Sequence, residues 1–469
     1  MSSAGKTTRM APAQAKPAKA KPAQVPFAPI PAFAASAAMF LACMDTLITN
    51  LALPAIQGAL GGNMASQQWI VDGYTLPFAA LLLLAGNMSD RFGAKRAFIV
   101  GTAGFAAASA VCSLATSVEM LIFGRAVMGV AAAIILPSSM SLINEAYPDA
   151  SNRSRALALW GIGGSAAGAA GPLFGGVLVP IHWSLVFSVN IPVCLIVLLA
   201  CTKLKTSPTR EKPFDAVGQA LALMGLTSLV AGIIEGGTLG FSDTRVVALI
   251  AVGLVALAAF VYSQSRVKTP MMPLTLFRTR GMRVAVAGGF VMIFNWNALV
   301  FLATLYLQQE LGLSTFVSGL LFIPSAVVGT AGNMLSDRIG GARGSRFTAL
   351  FGFAIIMSCY AVLFAFGNGL SEGVMVFALC LCGLGGGTTT PTLANLVLRS
   401  AGAEEGGIAS AVFNTMRQVG GAVGIALFGV IVTVAPSFGA GLTVCFAIST
   451  VLTAIALALA TTLPRRQRG

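Results

Sequence analysis

Asn87-Met88-Ser89-Asp90-Arg91-Phe92-Gly93-Ala94-Lys95-Arg96 is a short charged stretch between two long apolar runs. Asn333-Met334-Leu335-Ser336-Asp337-Arg338-Ile339-Gly340, followed by Arg343 and Arg346, repeats it with one extra residue before the Asp. Two such stretches this far apart mark a duplicated unit. Reading outward, apolar runs of about 20 residues, the length that crosses hydrocarbon as a helix, flank both copies. Fourteen lie at roughly 33–56, 69–88, 97–116, 119–144, 157–179, 182–202, 215–235, 246–264, 284–307, 314–335, 346–366, 372–398, 408–434 and 440–463. Backbone groups in lipid must be satisfied internally, so runs of this length are helices.

Composition agrees. Of 469 residues, 56% are hydrophobic and 9% charged, against about a quarter charged in soluble domains. The polar residues are too few to cover soluble domains, so the apolar surface faces lipid. The net charge of +14 has two readings, a nucleic-acid footprint or basic cytoplasmic loops, and position decides. Of 29 Lys and Arg, 26 lie in the two tails and the connections after even-numbered segments, one (Arg245) after an odd-numbered segment, and two (Arg125 and Arg417) inside segments. By the positive-inside rule both termini are cytoplasmic and nucleic acid drops out as a partner.

The expected fold is therefore an all-α polytopic membrane protein with fourteen transmembrane helices. The repeated Asp-Arg stretches lie eight segments apart on one side, which indicates two parallel six-helix repeats with segments 7 and 8 inserted between them. The domain reading is a disordered basic tail over 1–31, a six-helix bundle over 32–204, a cytoplasmic link with inserted helices over 205–265, a second bundle over 266–464 and a basic tail over 465–469. The eight cysteines lie in or at the ends of apolar segments with no CxxC pair, and read as packing residues. The single histidine, His182, stands at an outer helix boundary, so neither a histidine metal cluster nor a histidine proton relay is expected. No metal or cofactor is expected.

Several stretches together carry a family resemblance. Gly86 through Asp90, Arg91, Gly93, Lys95 and Arg96 resembles the signature loop between helices 2 and 3 of the major facilitator superfamily. Arg125-Ala-Val-Met-Gly129 is similar to its helix 4 motif. Gly168-Ala-Ala-Gly171-Pro172-Leu-Phe-Gly175-Gly176 is similar to the helix 5 motif of its antiporters, with Ala167 where the fullest form has Gly. Asp45-Thr-Leu-Ile-Thr-Asn50-Leu-Ala-Leu-Pro54, Trp69-Ile-Val-Asp72-Gly-Tyr74, Pro273-Leu-Thr-Leu-Phe277-Arg278 and Asn414-Thr-Met-Arg417-Gln418-Val-Gly420 resemble the fourteen-helix drug:proton antiporter branch. The Trp69–Tyr74 stretch and Ile234-Glu235-Gly236 are similar to the methylenomycin-resistance type. The resemblance implies an exporter of small toxic compounds in the bacterial inner membrane, and assigns the position of Arg125 to proton coupling.

The residues have their own physics. Asp45 lies near the bilayer midplane, where a charge costs at least about 2.5–3.5 kcal/mol, so it faces a cavity or a partner. It reads as a proton-exchanging carboxylate or as half of a structural pair. Arg125 stays charged and reads as an alternating partner for an acid or as a fixed ion pair. Asp72, one turn from the outer end of its helix, gates cation access, binds a cationic substrate or is a solvated helix-end acid. Arg417 has no intramembrane acid in its own half, leaving Asn414, backbone carbonyls or substrate as partners. Asn295, Trp296, Asn297, Tyr74 and Gln418 are candidate lining residues. Gly164, Gly168, Gly171 and Gly175 recur every three or four positions and form a close-packing face, with Pro172 as a kink. Asp90 and Asp337, beside Arg91 and Arg338, are candidates for a cytoplasmic gate.

The reading is a proton-coupled exporter acting as a monomer on amphipathic drugs, antibiotics or toxins by alternating access. A dedicated exporter of one metabolite or self-made antibiotic is the alternative. A membrane enzyme or a non-transporting sensor stands further off, since no nucleophile constellation, phosphate loop or output domain is visible.

Overall fold

A computed structural model describes residues 27–209, 215–402 and 405–464. The basic N-terminal arm, the last five residues, Arg210 and Lys212 lie outside the described residues. So do the side chains of Asn87 and Asp90, and nothing beyond backbone is described at Gly86.

The described secondary structure is helical throughout. The helices are α1 (Pro29–Leu60), α2 (Met64–Phe92), α3 (Ala94–Ser113), α4 (Val118–Ala146), α5 (Ala150–Leu178), α6 (Leu185–Ser188), α7 (Asn190–Cys201), α8 (Ala216–Leu239), α9 (Thr244–Arg266), α10 (Arg280–Leu305), α11 (Thr315–Phe366), α12 (Glu372–Ser400), α13 (Gly406–Val434) and α14 (Phe438–Thr461). Twelve of them are long and apolar enough to cross a membrane. Polar residues start them where the sequence allows: Asn63 and Ser66 form a reciprocal cap on α2, and Ser117, Asp149, Thr279 and Ser314 accept from the first turns of α4, α5, α10 and α11. Such caps satisfy amide groups that have no intrahelical partner.

Two features depart from fourteen separate helices. The sixth apolar segment is split into α6 and α7 around Val189, because Pro192 has no amide to give the carbonyl of Ser188 and its ring crowds that carbonyl. The tenth and eleventh segments are one element, α11, of 52 residues, about 78 Å if straight. It is not straight. Gly344 has φ 84° and ψ 165°, backbone open to glycine and few others. Gly332 abuts Leu384 and Thr388 of α12, while Gly352 abuts Gly385 and Thr389 one residue further along. Twenty residues of straight helix would separate those glycines by about 30 Å, so the chain folds back at Gly344 and both arms lie on α12.

This corrects one detail of the repeat. Gly93, between α2 and α3, has φ 86°, and Gly340 stands at the matching place in the repeated stretch. Its conformational counterpart is instead Gly344, since the first arm of α11 runs one turn further before reversing. In both copies the Asp-Arg pair, expected in a short connecting turn, sits on helix: Asp90 and Arg91 at the end of α2, Asp337 and Arg338 within α11.

The same packing scheme occurs twice. α1 lies on α5 as α10 lies on α13, and α4 packs between α2 and α3 as α12 packs between the arms of α11. Two seams join these sets, α2 with α13 and α5 with α11. The pair α8–α9 covers the first seam, with α8 against both α2 and α13.

Connections group on two faces. On one, Phe27 stacks on Tyr147, Ser207 bonds Glu145 and Gly281 abuts Ser400. This face collects Lys95, Arg96, Arg153, Arg155, Lys203, Arg278 and Arg343, and is called the basic face here. On the opposite face Gln309 donates to Gln57, Ser188 to Ser113 and Tyr306 to the carbonyl of Leu370.

Candidate functional site

Asp45, midway along α1, is fully buried and forms a salt bridge with Arg125 of α4, also fully buried. It is the ion pair found among the described residues. Four elements hold it. Arg125 Nη1 donates to Asp45 Oδ2, and Nε donates to the carbonyl of Ile70 on α2 at 3.0 Å. Asn190, at the break between α6 and α7, donates to Asp45 Oδ1 at 3.2 Å. The guanidinium lies 4.5 Å from the centre of the Tyr74 ring and 5.9 Å from that of Phe187, and desolvated cation–π contacts of this kind contribute about 2 kcal/mol. Tyr74 is thus part of the charge cluster, with its hydroxyl toward the carbonyl of Ala42, rather than a lining residue. The approach of α2 to α4 depends on Gly129, where any β-carbon would collide with the Tyr74 carbonyl.

Asp72 is not a solvated helix-end acid. It is fully buried, and neither carboxylate oxygen has a hydrogen-bond partner. Gln68, one turn earlier on the same side of α2, donates to the carbonyls of Ile425 and Ala426 on α13 at 3.1 and 2.7 Å. Leu76, one turn later, belongs to an apolar cluster with Leu226, Val230 and Ile234 of α8 and Ala422 and Ala426 of α13. Asp72 therefore sits in the α2–α13 seam under α8.

The small residues of α5 serve two neighbours. Added β-carbons at Gly164, Gly171 and Gly175 would meet Met39, Leu47 and Leu51 of α1 at 3.0, 2.8 and 3.0 Å. Gly168 and Gly176 instead face Ala326 and Phe316 of α11, and the carbonyl of Pro172 occupies the space beside Gly319. One face packs within a bundle and the other closes the second seam. α13 repeats this: Gly424 lies against the Phe294 carbonyl of α10, while Gly429 makes room for Gln68 of α2.

Between the seams, exposure changes along the helices. On α1, Leu51, Ala52 and Leu53 near the opposite face are buried, whereas Phe40, Cys43, Thr46 and Leu47 toward the basic face are partly exposed. On α13, Gln418 and Arg417 are partly exposed and Asn414, nearer the basic face, is exposed. The hydrogen bonds between the two helix sets sit near the opposite face: Gln68 to α13, Gln308 to the carbonyl of Leu51 at 3.1 Å, and Gln309 to Gln57 at 3.2 Å. The two helix sets are thus tied together near the opposite face, and side chains of α1 and α13 toward the basic face are more exposed. Trp296 and Asn297 are partly exposed, Asn297 beside Gly421 of α13. Asn295 turns into its own bundle, donating to Thr453 at 2.8 Å, with Tyr360 donating to its carbonyl at 2.7 Å.

At the basic face, Lys95 donates through Nζ to the carbonyl of Leu204 at 2.6 Å and through its amide to Ser207 at 3.0 Å. The loop after α7 is thereby tied to α3 and α4. Asp337 and Arg338 are exposed, and neither forms an ion pair with another described residue.

Sequence reasoning found Asp45 and Arg125 but not Asn190, Phe187 or Gln68. Asn190 stands two residues before Pro192 in an apolar segment, a polar group at a helix break, and that was the available signal. Gln68 gave none, since a glutamine at a helix start reads as solvated.

Twelve apolar membrane-length helices in two like-packed sets enclose a buried acid and arginine. A sequence profile described as Major Facilitator Superfamily matches residues 35–425, and the chain belongs to that superfamily. It is 31% identical over 408 residues to the methylenomycin A resistance protein of Bacillus subtilis, covering 86% of this chain and 87% of that one. It is 32% identical to the methylenomycin A resistance protein of Streptomyces coelicolor, covering 83% of each, and 31% identical to the multidrug efflux pump LfrA of Mycolicibacterium smegmatis, covering 84% and 79%. A POT family transporter solved with 5-aminolevulinic acid has the same fold, with a TM-score of 0.70 and 13% identity over 92% of this chain and 96% of that one. The protein is a multi-pass bacterial membrane transporter whose relatives are resistance and efflux proteins.

Proposed function

We propose that this protein exports small amphipathic toxic compounds in exchange for protons by alternating access. The observation that carries the reading is the fully buried Asp45–Arg125 pair, held by Asn190 and the carbonyl of Ile70 inside the first helix set. A carboxylate paired with a permanent cation is stable when ionised and releases that cation when protonated, so proton uptake loosens α1 from α4. Relatives named as antibiotic resistance and efflux proteins support export.

In this reading the chain crosses the membrane fourteen times, with α6–α7 as one crossing and the arms of α11 as two. The basic face is cytoplasmic with both termini, and the chain works as a monomer. Two six-helix bundles, 32–204 and 266–464, rock about the central space, with α8–α9 riding on the α2–α13 seam. In this cycle the compound loads from the cytoplasm in an inward-facing state in which Asp45 holds Arg125. After outward rotation, protonation of Asp45 accompanies release. Asp337 and Arg338 join Arg91 and its neighbours in closing the basic face.

The test is drug export by proteoliposomes under an imposed pH gradient, compared with downhill counterflow without one. Asp45→Asn is expected to abolish gradient-driven accumulation while leaving counterflow. Full gradient-driven transport by Asp45→Asn would end the proposal.

A further inference from the structure

Of the charges that the sequence places well inside apolar segments, Asp45, Arg125 and Asp72 are enclosed. Asp45 and Arg125 neutralise each other, and Asp72 is sealed in a seam. Arg417 is different. On α13, Gly420 and Gly424 abut backbone of α10, and Ile425 and Ala426 receive Gln68 of α2. At 3.6 residues per turn, Asn414, Arg417 and Gln418 fall on the arc between those contacts, facing the central space.

The arginine is built into this position. Gly289 of α10 leaves room for its stem, since a β-carbon there would lie 3.0 Å from Arg417 Cγ. Its guanidinium carbon lies 5.5 Å from the centre of the Phe413 ring, and Nη1 donates to Asn414 Oδ1 at 3.2 Å. Nε is buried and has no protein partner. The element facing it across the space is α1, which offers Cys43 there, and the one carboxylate of that helix is held by Arg125. No acid is paired with Arg417 among the described residues.

An arginine remains charged at any relevant pH, and a partly dehydrated cation without a counter-charge is costly. Its planar fork matches the paired oxygens of an oxyanion such as a carboxylate. Its neighbours Cys43 of α1 and Phe413 are apolar, as a site for a ring-bearing compound requires.

We propose that Arg417 docks an anionic group of the transported compound, so that this exporter prefers lipophilic acids, namely carboxylates and phenolates on an apolar ring. Asn414 and Gln418 supply neutral hydrogen bonds beside it. The inference rests on the export reading for its use, but the recognition it describes is a binding property.

Three ring-matched radiolabelled probes test it on purified full-length protein: 1-naphthoate, its methyl ester and 1-naphthylmethylammonium. Wild type is expected to bind naphthoate at least about tenfold more tightly than the other two, the worth of one charge-assisted contact. Arg417→Gln removes that preference and leaves ester binding within about twofold, Arg417→Lys keeps part of it, and Arg417→Glu shifts it to the ammonium. Equal binding of the three probes by wild type, or equal loss of all three in Arg417→Gln, overturns the inference. Binding is read with no pH gradient, so a protein that selects the anion through Arg417 yet fails to pump overturns the export reading and leaves this one standing.

Discussion

The side-chain amide of Asn190 reaches Asp45 Oδ1 at 3.2 Å while Arg125 holds Oδ2, so both oxygens of one buried carboxylate are occupied from two different helices. Removing the amide strands part of the charge. Asn190→Ala is expected to lower stability by about 1.5–3 kcal/mol, the range for a hydrogen bond to a charged group, and to slow gradient-driven export. Thermal unfolding in detergent and proteoliposome flux measure the two effects.

Arg125→Gln leaves Asp45 buried without its cation, a change that costs about 3–5 kcal/mol in comparable pairs. The double variant Asp45→Asn with Arg125→Gln recovers most of that stability but not coupling. If the double variant melted no higher than Arg125→Gln, the pair would not be the unit argued here.

At Gly129 the expected outcome is steric. A β-carbon has no room against the Tyr74 carbonyl, so Gly129→Ala forces α2 from α4 and costs about 1–3 kcal/mol. Because Tyr74 and Ile70 both touch Arg125, transport falls more than expression does. Comparing export with the amount of folded protein in the membrane separates them.

Asp72→Asn keeps the shape of the side chain and removes its capacity for charge. An unpaired buried charge is costly, and the seam that encloses Asp72 closes the opposite face. The variant is expected to populate the closed opposite face more than wild type. Spin labels at Ala59 and Leu311, both exposed, report this as a shift toward the shorter distance.

Gly319→Val addresses the other seam, where the Pro172 carbonyl fills the space beside Gly319. Here the same labels should move apart, because α5 and α11 cannot close. Transport is lost with little loss of folded protein.

What the sequence made legible follows from rarity. Charges in apolar helices are few, so Asp45 and Arg125 stood out, and paired basic loops marked the faces. Neutral partners have no such contrast. Asn190 meets Asp45 across 145 positions, and only the break at Pro192 hinted at it. Glycine spacing on α5 announced close packing but could not say that Gly164 faces α1 while Gly168 faces α11. Gly340 and Gly344 are four residues apart, and the choice of turning point depends on how far the first arm of α11 extends along α12. Asp72 lay near a helix end in sequence, and its enclosure came from α8, a helix outside the repeat.

That inserted helix has a mechanical consequence. α8 is hydrogen-bonded to α2 toward both of its ends, through Trp69 to Glu235 at 3.0 Å and Gln219 to the carbonyl of Ala80 at 2.8 Å. Toward α13 its described contacts are apolar, such as Gly237 against Val430. It is fastened to one bundle and greased against the other. In the proposed rocking cycle α8 and α9 travel as cargo of the first bundle, so the strain of each swing falls on the linker from Val267 to Thr279, which acts as the hinge pin of the machine.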